Sequence, residues 1–335
     1  MNSRTGQTVT VLGAGSWGTA LAIQFARNGY KTLLWGRDPQ QIDKMQRERC
    51  NNRYLPEIEF PETLRPTAEL ESACRCADIL LIVIPSTVFR RTLEAIKPYI
   101  TETSLVAWAT KGLEQNSGKL LHQVYAEVIG SSEQCAVVSG PTFAREVAQG
   151  LPTAVTVASK DRVVAEKIAS ALHGDSFRAY TSSDVISVEI GGACKNVLAI
   201  AAGISDGLGF GANTRAAIIT RGLAEMVRLG EALGGHGETL MGLSGLGDLV
   251  LTCTDNQSRN RRVGLGLGKG QALAEVIDEI GQAVEGVKSA PEIYRVAREH
   301  KVDMPIAEQV YRVLYEGLSA KDAVVGLLER APKSE

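Results

Sequence analysis

The chain has 335 residues, more than one hydrophobic core of about 250–300 residues usually holds, so we expect two domains. With 44% hydrophobic residues, 22% charged residues and a net charge of -2, its composition excludes a disordered or collagen-like chain and gives no global attraction to nucleic acid or an anionic membrane. The polar start leaves no room for a signal peptide, and the longest apolar run, ADILLIVIP, is shorter than the roughly 20 residues of a membrane helix. We therefore expect a cytoplasmic protein without membrane insertion or nucleic-acid partner.

Short apolar runs alternate with helical patterns through the first half of the chain. These runs are TVTVLG, KTLLWGR, ADILLIVIP, SLVAWATKG, CAVVSG and PTAVTVAS. Such alternation predicts βαβ units and a doubly wound, mainly parallel sheet. From about Thr181 onward the strand-like runs disappear and helical spacing dominates. We predict an α/β domain over residues 1–182 and an all-helical domain over residues 183–335.

The first strand runs into a glycine motif, Gly13-x-Gly15-x-x-Gly18, which is followed at once by a helical pattern. In that setting the first glycine permits a sharp turn, the second lets the backbone approach a pyrophosphate, and the third lets the helix pack on the sheet. The amides of Ser16 and Trp17 then face the phosphates at the helix N-terminus. The motif predicts a Rossmann-type, dinucleotide-binding first domain.

The end of the second strand bears on the choice of cofactor. Its sequence is Trp35-Gly36-Arg37-Asp38, so an arginine stands where an acidic residue is typical of NAD binding. Arg37 can pair with a 2′-phosphate, which predicts that NADP is accepted. The alternative is that Arg37 is simply solvated.

Polar residues follow two later strands directly. Lys111 comes after SLVAWAT, and Gly140-Pro141-Thr142 comes after CAVVS. Ligands bind at the carboxyl edge of open α/β sheets, so both groups are candidates to line one cleft.

Lys195 stands in a second-half stretch, VEIGGACKNVLAIAAG, that has little other charge. Burying an ammonium there costs several kcal/mol without an anionic partner or a lowered pKa. A lysine so placed can give a proton to a substrate carbonyl and take it back in reverse. The alternative is a lysine that reaches water from an amphipathic helix.

A later stretch, GLSGLGDLVLTCTDNQSRNRRVG, combines Asp248 with Ser258, Arg259 and Asn260 at a predicted helix start. Hydroxyl, guanidinium and amide donors beside helix amides make an anion site suited to phosphate. The alternative is a solvated basic patch that contacts RNA.

The six cysteines lie at positions 50, 74, 76, 135, 194 and 253, without a CxxC pair or neighbouring histidines. This spacing indicates neither a zinc site nor a disulfide framework, and we expect reduced thiols and no metal.

Six segments in this order, GAGSWGTALA, ATKGLE, SGPTFAREV, EIGGACKNVLAIAAG, GLSGLGDLVLTCT and SRNRRVG, resemble the motifs of the bacterial NAD(P)-dependent glycerol-3-phosphate dehydrogenase family. The resemblance spans nearly the whole chain. It implies reversible reduction of dihydroxyacetone phosphate to sn-glycerol 3-phosphate with NADPH/NADP or NADH/NAD, in the service of phospholipid synthesis. The hydride is added to the C2 carbonyl, and a homodimer is the assembly such enzymes suggest.

The resemblance also implies roles for individual residues. The catalytic proton donor and acceptor falls on Lys195. Substrate contacts fall on Lys111, Thr142, Asp248, Ser258, Arg259 and Asn260. Cofactor contacts fall on Gly13, Gly15, Ser16, Trp17, Gly18, Arg37, Lys111, Gly140, Ala144, Arg259, Ala283 and Glu285. The family often has valine at the position of Ala283, so we expect a backbone contact there.

Two other functions remain compatible with these motifs. A β-hydroxyacid dehydrogenase shares the architecture and the lysine, although it has no reason to carry the SRNRR phosphate site. A non-catalytic redox sensor could bind NADPH and use the basic patch for a protein or RNA.

Overall fold

The computed structural model describes residues 6–131 and 134–329. The chain forms two compact units. Of the described residues, the first unit contains those up to Thr110 and those of Leu121–Val185, and the second contains Lys111–Leu120 and those from Ile186 onward. The boundary between residues 182 and 183 stays a prediction. The segment Lys111–Leu120 belongs to the second unit although it connects two elements of the first.

The first unit is built on an eight-stranded sheet with the strand order β10-β9-β8-β7-β6-β1-β2-β5. All neighbouring strands are parallel except β8 and β9, and β3 and β4 form a separate antiparallel pair. The strands are β1 (Thr8–Leu12), β2 (Lys31–Trp35), β3 (Cys50–Asn51), β4 (Leu55–Glu59), β5 (Leu64–Thr67), β6 (Ile79–Ile82), β7 (Leu105–Trp108), β8 (Cys135–Ser139), β9 (Thr153–Ala158) and β10 (Phe177–Ser182).

Helices alternate with the strands along the first unit, and helices alone follow the last strand in the second unit. In the first unit they are α1 (Ser16–Arg27), α2 (Pro39–Glu48), α3 (Leu70–Arg75), α4 (Phe89–Ile96), α5 (Leu121–Ile129), α6 (Ala144–Gln149) and α7 (Arg162–Leu172). The helices that follow are α8 (Val185–Gly207), α9 (Ala212–Ala232), α10 (Gly237–Leu240), α11 (Asp248–Thr254), α12 (Arg259–Gly268), α13 (Leu273–Ile280), α14 (Glu285–Glu299), α15 (Pro305–Tyr315) and α16 (Ala320–Leu328). The predicted fold class, a mainly parallel Rossmann-type sheet followed by a helical domain, is confirmed.

The central strand β1 decides where ligands bind on the first unit. It lies between β6 and β2, and all five of its residues are buried. The chain leaves β1 toward β2 on one side and later returns to β6 on the other. Such a reversal of strand order opens a crevice at the carboxyl ends of the strands, which is where the glycine motif lies.

The long helix α8 is the core of the second unit. Most of its residues are apolar, which is typical of a helix buried within a protein, and the polar pair Lys195 and Asn196 stands at its centre. By length and composition alone it could cross a bilayer, but 94% of its most apolar window is buried in the fold. Among the described residues it is the one helix that passes this test, and its burial makes it a core helix.

Helix α15 is held at both ends by other helices. Glu225 of α9 is buried and accepts hydrogen bonds from two backbone N–H groups of the first turn of α15, at 2.7 and 3.1 Å. Burial raises the pKa of Glu225 to about 7. At the other end, the Tyr315 hydroxyl donates to the Val287 carbonyl at 2.7 Å. That carbonyl lacks its usual helical donor because Pro291, four residues later in α14, has no N–H.

Candidate active site

The turn from β1 into α1 needs glycine for steric reasons. Gly13 has a φ of +126°, and a Cβ there would lie 2.1 Å from the Val83 carbonyl oxygen. A Cβ on Gly18 would lie 1.9 Å from the Gly13 oxygen, so this glycine lets the helix start close to the strand. A Cβ on Gly15 meets nothing within 4 Å. The turn is therefore tight on its protein side and open at Gly15, which suits a close approach by a ligand.

The N-terminus of α1 is suited to an anion. Gly15 is the N-cap, no side chain caps the helix, and the first turn carries no acidic residue. The Ser16 hydroxyl donates to the Tyr54 carbonyl at 3.3 Å. The Trp17 indole N–H is buried without a hydrogen-bond partner in the described structure. Open amides at a helix start and a buried orphan donor fit the pyrophosphate of a dinucleotide.

The two charged residues after β2, Arg37 and Asp38, are both exposed, and one of them caps the next helix. Asp38 caps α2 by accepting a hydrogen bond from the Gln40 N–H at 3.0 Å. Arg37 is exposed. The Asp38 carboxylate thus caps α2, whereas the exposed Arg37 guanidinium takes no part in capping that helix.

The loop between β8 and α6 carries three predicted ligand contacts. Gly140 has a φ of +155°, and a Cβ there would lie 3.0 Å from the Ala154 carbonyl oxygen. The Thr142 hydroxyl donates to the Gly140 carbonyl at 3.2 Å. Ala144 is the first residue of α6 and is half-buried.

In the second unit, two lysines share one buried carboxylate. Lys195 Nζ lies 2.6 Å from Asp248 Oδ1, and Lys111 Nζ lies 2.6 Å from Asp248 Oδ2. Lys195 also donates to Thr252 Oγ1 at 3.0 Å. Its third N–H has no acceptor among the described residues. Asp248 is thus an acceptor that the two ammonium groups share.

Burial and charge shift the pKa values of this cluster in opposite directions. Burial lowers the pKa of Lys195 to about 8, Asp248 opposes that shift, and the Lys111 charge adds to it. Burial alone raises the pKa of Asp248, but Lys111 and Lys195 outweigh it and hold that pKa below its ordinary value. A carboxylate that stays ionised beside a lysine that titrates near neutral pH is an arrangement suited to proton transfer.

Close backbone packing brings Asp248 to Lys195. A Cβ on Gly191 of α8 would lie 2.2 Å from the Ser244 carbonyl oxygen, so α8 runs directly against the π-helical turn Leu243–Gly247. That turn leads into α11, whose first residue is Asp248. Isolated π turns are frequent at functional sites because they aim the residues that follow.

Glycines also set the distance between α8 and α12. Gly203 and Gly207 of α8 face Gly264 and Gly268 of α12. A Cβ on Gly203 would lie 2.1 Å from the Arg261 carbonyl oxygen, and larger residues would force the helices apart. The contact brings the N-terminus of α12 to the middle of α8.

The N-terminus of α12 is a second anion-binding helix start. Ser258 is its N-cap and accepts a hydrogen bond from the Arg261 N–H at 3.2 Å, and the first turn has no acidic residue. The Arg259 guanidinium donates to the Ala283 carbonyl at 2.7 Å. The amide nitrogen and the amide oxygen of the Asn260 side chain are both hydrogen-bonded to protein groups. The group of Asn260 that remains for an anion is therefore its backbone N–H at the helix start.

Asn196 links this helix start to the next helix. Asn260 Nδ2 donates to Asn196 Oδ1 at 2.8 Å, and the Gly286 N–H donates to Asn260 Oδ1 at 2.8 Å. Asn196 Nδ2 in turn lies 3.4 Å from Glu285 Oε2. The network fixes Glu285, at the start of α14, beside the residue that follows Lys195 in sequence.

Comparisons with known proteins cover both units. Models of the N-terminus and the C-terminus of NAD-dependent glycerol-3-phosphate dehydrogenase match residues 8–165 and 184–325. The chain is 59% identical over 327 residues to glycerol-3-phosphate dehydrogenase (NAD(P)+) of Thioalkalivibrio sulfidiphilus, with 98% of each chain covered. The crystal structure of the Coxiella burnetii enzyme superposes with a TM-score of 0.93 at 49% identity, covering 97% of this chain and 99% of that one. The glycerol-3-phosphate dehydrogenase of Saccharomyces cerevisiae gives 0.82 at 28% identity, again over 97% and 99%.

The chain belongs to the NAD-dependent glycerol-3-phosphate dehydrogenase family. The resemblance read from the sequence is thereby confirmed. Glycerol-3-phosphate dehydrogenases are oxidoreductases that use NAD or NADP, and a small-molecule substrate is consistent with the family. This identity does not support the redox-sensor alternative.

The structure also weakens the interpretation of SRNRR as an RNA-binding patch. Arg261 is buried and pairs with Asp206 at 2.5 Å, so it adds no charge to the surface. Among the residues described, no group of three or more His, Cys, Asp and Glu side chains could hold a metal ion.

Sequence reasoning assigned no role to two residues of this dehydrogenase site. Thr252 lies four residues after Asp248, and that helical spacing could have indicated a shared face. Asn196 follows Lys195 in the segment EIGGACKNVLAIAAG, but the two partners that link it to other helices lie 64 and 89 positions away along the chain, beyond the reach of local patterns.

Proposed function

We propose that this dehydrogenase reversibly reduces dihydroxyacetone phosphate to sn-glycerol 3-phosphate with NADPH or NADH, and that Lys195 is its general acid and base. The observation that carries the proposal is the hydrogen bonding of the buried Lys195 ammonium. Two of its N–H groups donate to Asp248 and Thr252, and the third N–H is left for a ligand. That donor can bind the C2 carbonyl oxygen. It can then protonate the alkoxide, or accept the proton in the reverse direction.

The partners of Lys195 have separate roles in the proposal. Lys111 adds the positive charge that stabilises the developing oxyanion, an effect that is large where water is excluded. Asp248 orients both ammonium groups by accepting one hydrogen bond from each at 2.6 Å. Thr252 accepts from Lys195 while its own hydroxyl donates to the Asp248 carbonyl at 2.6 Å, which fixes the direction of the lysine.

The substrate phosphate is held at the start of α12. The backbone N–H groups of Arg259 and Asn260, the Ser258 hydroxyl and the Arg259 guanidinium supply the donors, and the helix dipole favours a dianion there. Thr142 completes the proposed substrate contacts. Holding the phosphate at a distance from the reacting carbon fixes the carbonyl relative to Lys195.

The dinucleotide is held by the glycine turn of the first unit. Gly13, Gly15 and Gly18 admit the pyrophosphate, which the amides of Ser16 and Trp17 bind. When bound, the nicotinamide supplies the hydride to C2 or accepts it from C2. Further proposed cofactor contacts are Arg37, at a 2′-phosphate, Lys111, Gly140, Ala144, Arg259, Ala283 and Glu285.

The product is a three-carbon polyol phosphate, the backbone from which phospholipids are made. We include in the proposal a cytoplasmic location and a role in phospholipid supply. We also include a homodimer, because twofold dimers are the commonest assemblies of soluble enzymes.

The proposal is tested by following NADPH oxidation with dihydroxyacetone phosphate, with unphosphorylated dihydroxyacetone and with a panel of β-keto acids. We expect rapid turnover with dihydroxyacetone phosphate and at least a hundredfold lower kcat/KM with the other substrates. Preferred turnover of a keto acid would instead favour the β-hydroxyacid dehydrogenase alternative.

Replacing Arg259 with alanine should raise KM for dihydroxyacetone phosphate by roughly ten- to a hundredfold, since a charge-assisted hydrogen bond contributes about 1.5–3 kcal/mol. The matched control is Arg262→Ala, which removes an exposed arginine from the same helix. Steady-state kinetics with and without the phosphate group separate the effects. If Arg259 holds the phosphate, the KM for unphosphorylated dihydroxyacetone should not change. An equal rise in KM for both compounds would remove the phosphate site from the proposal.

A further inference from the structure

The segment that carries Lys111 has a backbone that cannot hold its shape by propensity alone. Between Lys111 and Leu120, which we call the Lys111 segment, three residues have positive φ: Gly112 at 111°, Asn116 at 69° and Gly118 at 66°. For the asparagine this conformation is uncommon. Internal hydrogen bonds close the turn, from the Glu114 N–H to the Lys119 carbonyl and from the Gly118 N–H to the Glu114 carbonyl, each at 2.9 Å.

A buried carboxylate of α14 holds the strained residue of this segment. Glu292 Oε1 accepts a hydrogen bond from the Asn116 N–H at 3.0 Å. Its other oxygen, Oε2, lies 2.6 Å from Arg295 Nη2. Glu292 is only 6% exposed, so the acceptor of this hydrogen bond is buried, although Asn116 itself is exposed.

Close packing against the same helix reinforces the hydrogen bond. A Cβ on Gly118 would lie 2.4 Å from Arg295 Nη2 and 2.7 Å from Val296 Cγ2, so the backbone runs directly over α14. Leu113 and Leu120, each 3% exposed, insert into the apolar core of the second unit. The segment is thus attached to α14 at its middle and to the core near both ends.

We infer that Glu292 is a positioning residue, which fixes the Lys111 segment so that the Lys111 ammonium stays at Asp248 beside Lys195. The 2.6 Å contact between Lys111 and Asp248 joins residues 137 positions apart, and Glu292 supplies a second polar contact between the segment and the helices of the second unit. This role rests on the proposed function of the two lysines. Glu292 would thus be required for the reaction although it touches neither substrate nor cofactor.

The inference has an electrostatic consequence that a merely structural role lacks. Lys111 lowers the pKa of Lys195 by repulsion, and Asp248, together with Glu285, raises it. If the Lys111 segment loosens, the repulsion weakens and Asp248 is left to Lys195 alone. Both changes raise the pKa of Lys195, so activity in the direction of reduction should persist to higher pH.

The test compares three variants of the full-length enzyme. Glu292→Ala should lower kcat/KM for dihydroxyacetone phosphate by about ten- to a hundredfold, as small displacements of catalytic groups do, and should shift the alkaline limb of its pH profile upward. Glu292→Gln keeps an oxygen that accepts from Asn116 and should recover activity to within about threefold. The matched control is Glu299→Gln, which removes the exposed partner of the same Arg295 and should behave as wild type.

Hydrogen–deuterium exchange separates this inference from the proposed function. In Glu292→Ala the peptide covering residues 111–120 should exchange faster, whatever substrate the enzyme prefers. Wild-type kinetics and an unmoved pH limb in Glu292→Ala would overturn the inference and leave the proposed function intact. Failure of the wild type to reduce dihydroxyacetone phosphate would overturn the proposed function instead. If Glu292→Ala does not fold, Gly118→Ala, which pushes the segment away from Arg295, decides by the same two readouts.

Discussion

Replacing Lys195 with methionine lowers kcat for the reduction of dihydroxyacetone phosphate by about a thousandfold, within the 10²–10⁴ range expected for loss of a general acid. Methionine keeps most of the length of the side chain in the core of the second unit, but it has no proton to give. The variant should bind NADPH with nearly unchanged affinity, measured by fluorescence titration, because its effect falls on the chemical step.

The matched control for this substitution is Lys269→Met, which removes an exposed lysine just after α12. It should retain full activity. Turnover of Lys195→Met within twofold of wild type would show that the proton comes from elsewhere. An equal loss of turnover in Lys195→Met and Lys269→Met would indicate an effect on folding and not on catalysis.

Replacing Asp248 with asparagine destabilises the enzyme by about 3–5 kcal/mol at neutral pH, because it removes the buried carboxylate that both ammonium groups contact at 2.6 Å. The loss is measured by urea denaturation. It should be smaller near pH 10, where Lys195, whose pKa is about 8, has lost its proton, and the double substitution with Lys195→Met should recover part of it. The matched control is Asp278→Asn, at an exposed position.

The pH dependence of this contribution has a definite sign. Because the folded pKa of Asp248 lies below its ordinary value of 3.8, the stabilisation is fully present above about pH 4, up to the pH near 8 at which Lys195 loses its proton. It is lost as the pH falls through the folded pKa of Asp248. A stability difference between wild type and Asp248→Asn that is small at pH 7, or that grows toward pH 10, would contradict the charge-pairing account.

The strands that the sequence predicted are those at the centre of the sheet. Parallel strands buried on both faces are continuous apolar runs, so β1, β2, β6, β7, β8 and β9 could be recognised. The two strands of this sheet that were not predicted, β5 and β10, are its edges, and the separate short pair β3 and β4 was not predicted either. Edge strands tolerate exposed and helix-breaking residues. Arg65 and Pro66 in β5 and Arg178 in β10 interrupt the apolar pattern, so these two strands could not be recognised from the sequence.

The glycine turn was predictable for the same local reason, since its strand, spacing and helix are contiguous. The environment of Lys195 was not. Its sequence allowed a solvated lysine equally well, and burial follows only from the packing of α8 against the π turn and α12. Pairing of Lys111 with Asp248 depends on the membership of the Lys111 segment in the second unit, and Glu292 looks in sequence like an ordinary helix surface charge.

The central claim is that a lysine with a pKa near 8 exchanges one proton with the substrate oxygen. The most direct measurement is the pH dependence of kcat/KM above pH 7 in both directions. We predict that reduction of dihydroxyacetone phosphate declines as the pH passes about 8, while oxidation of sn-glycerol 3-phosphate rises through the same pH. Profiles that run parallel in the two directions, or that stay flat from pH 7 to about 10, where an unperturbed lysine titrates, would contradict it.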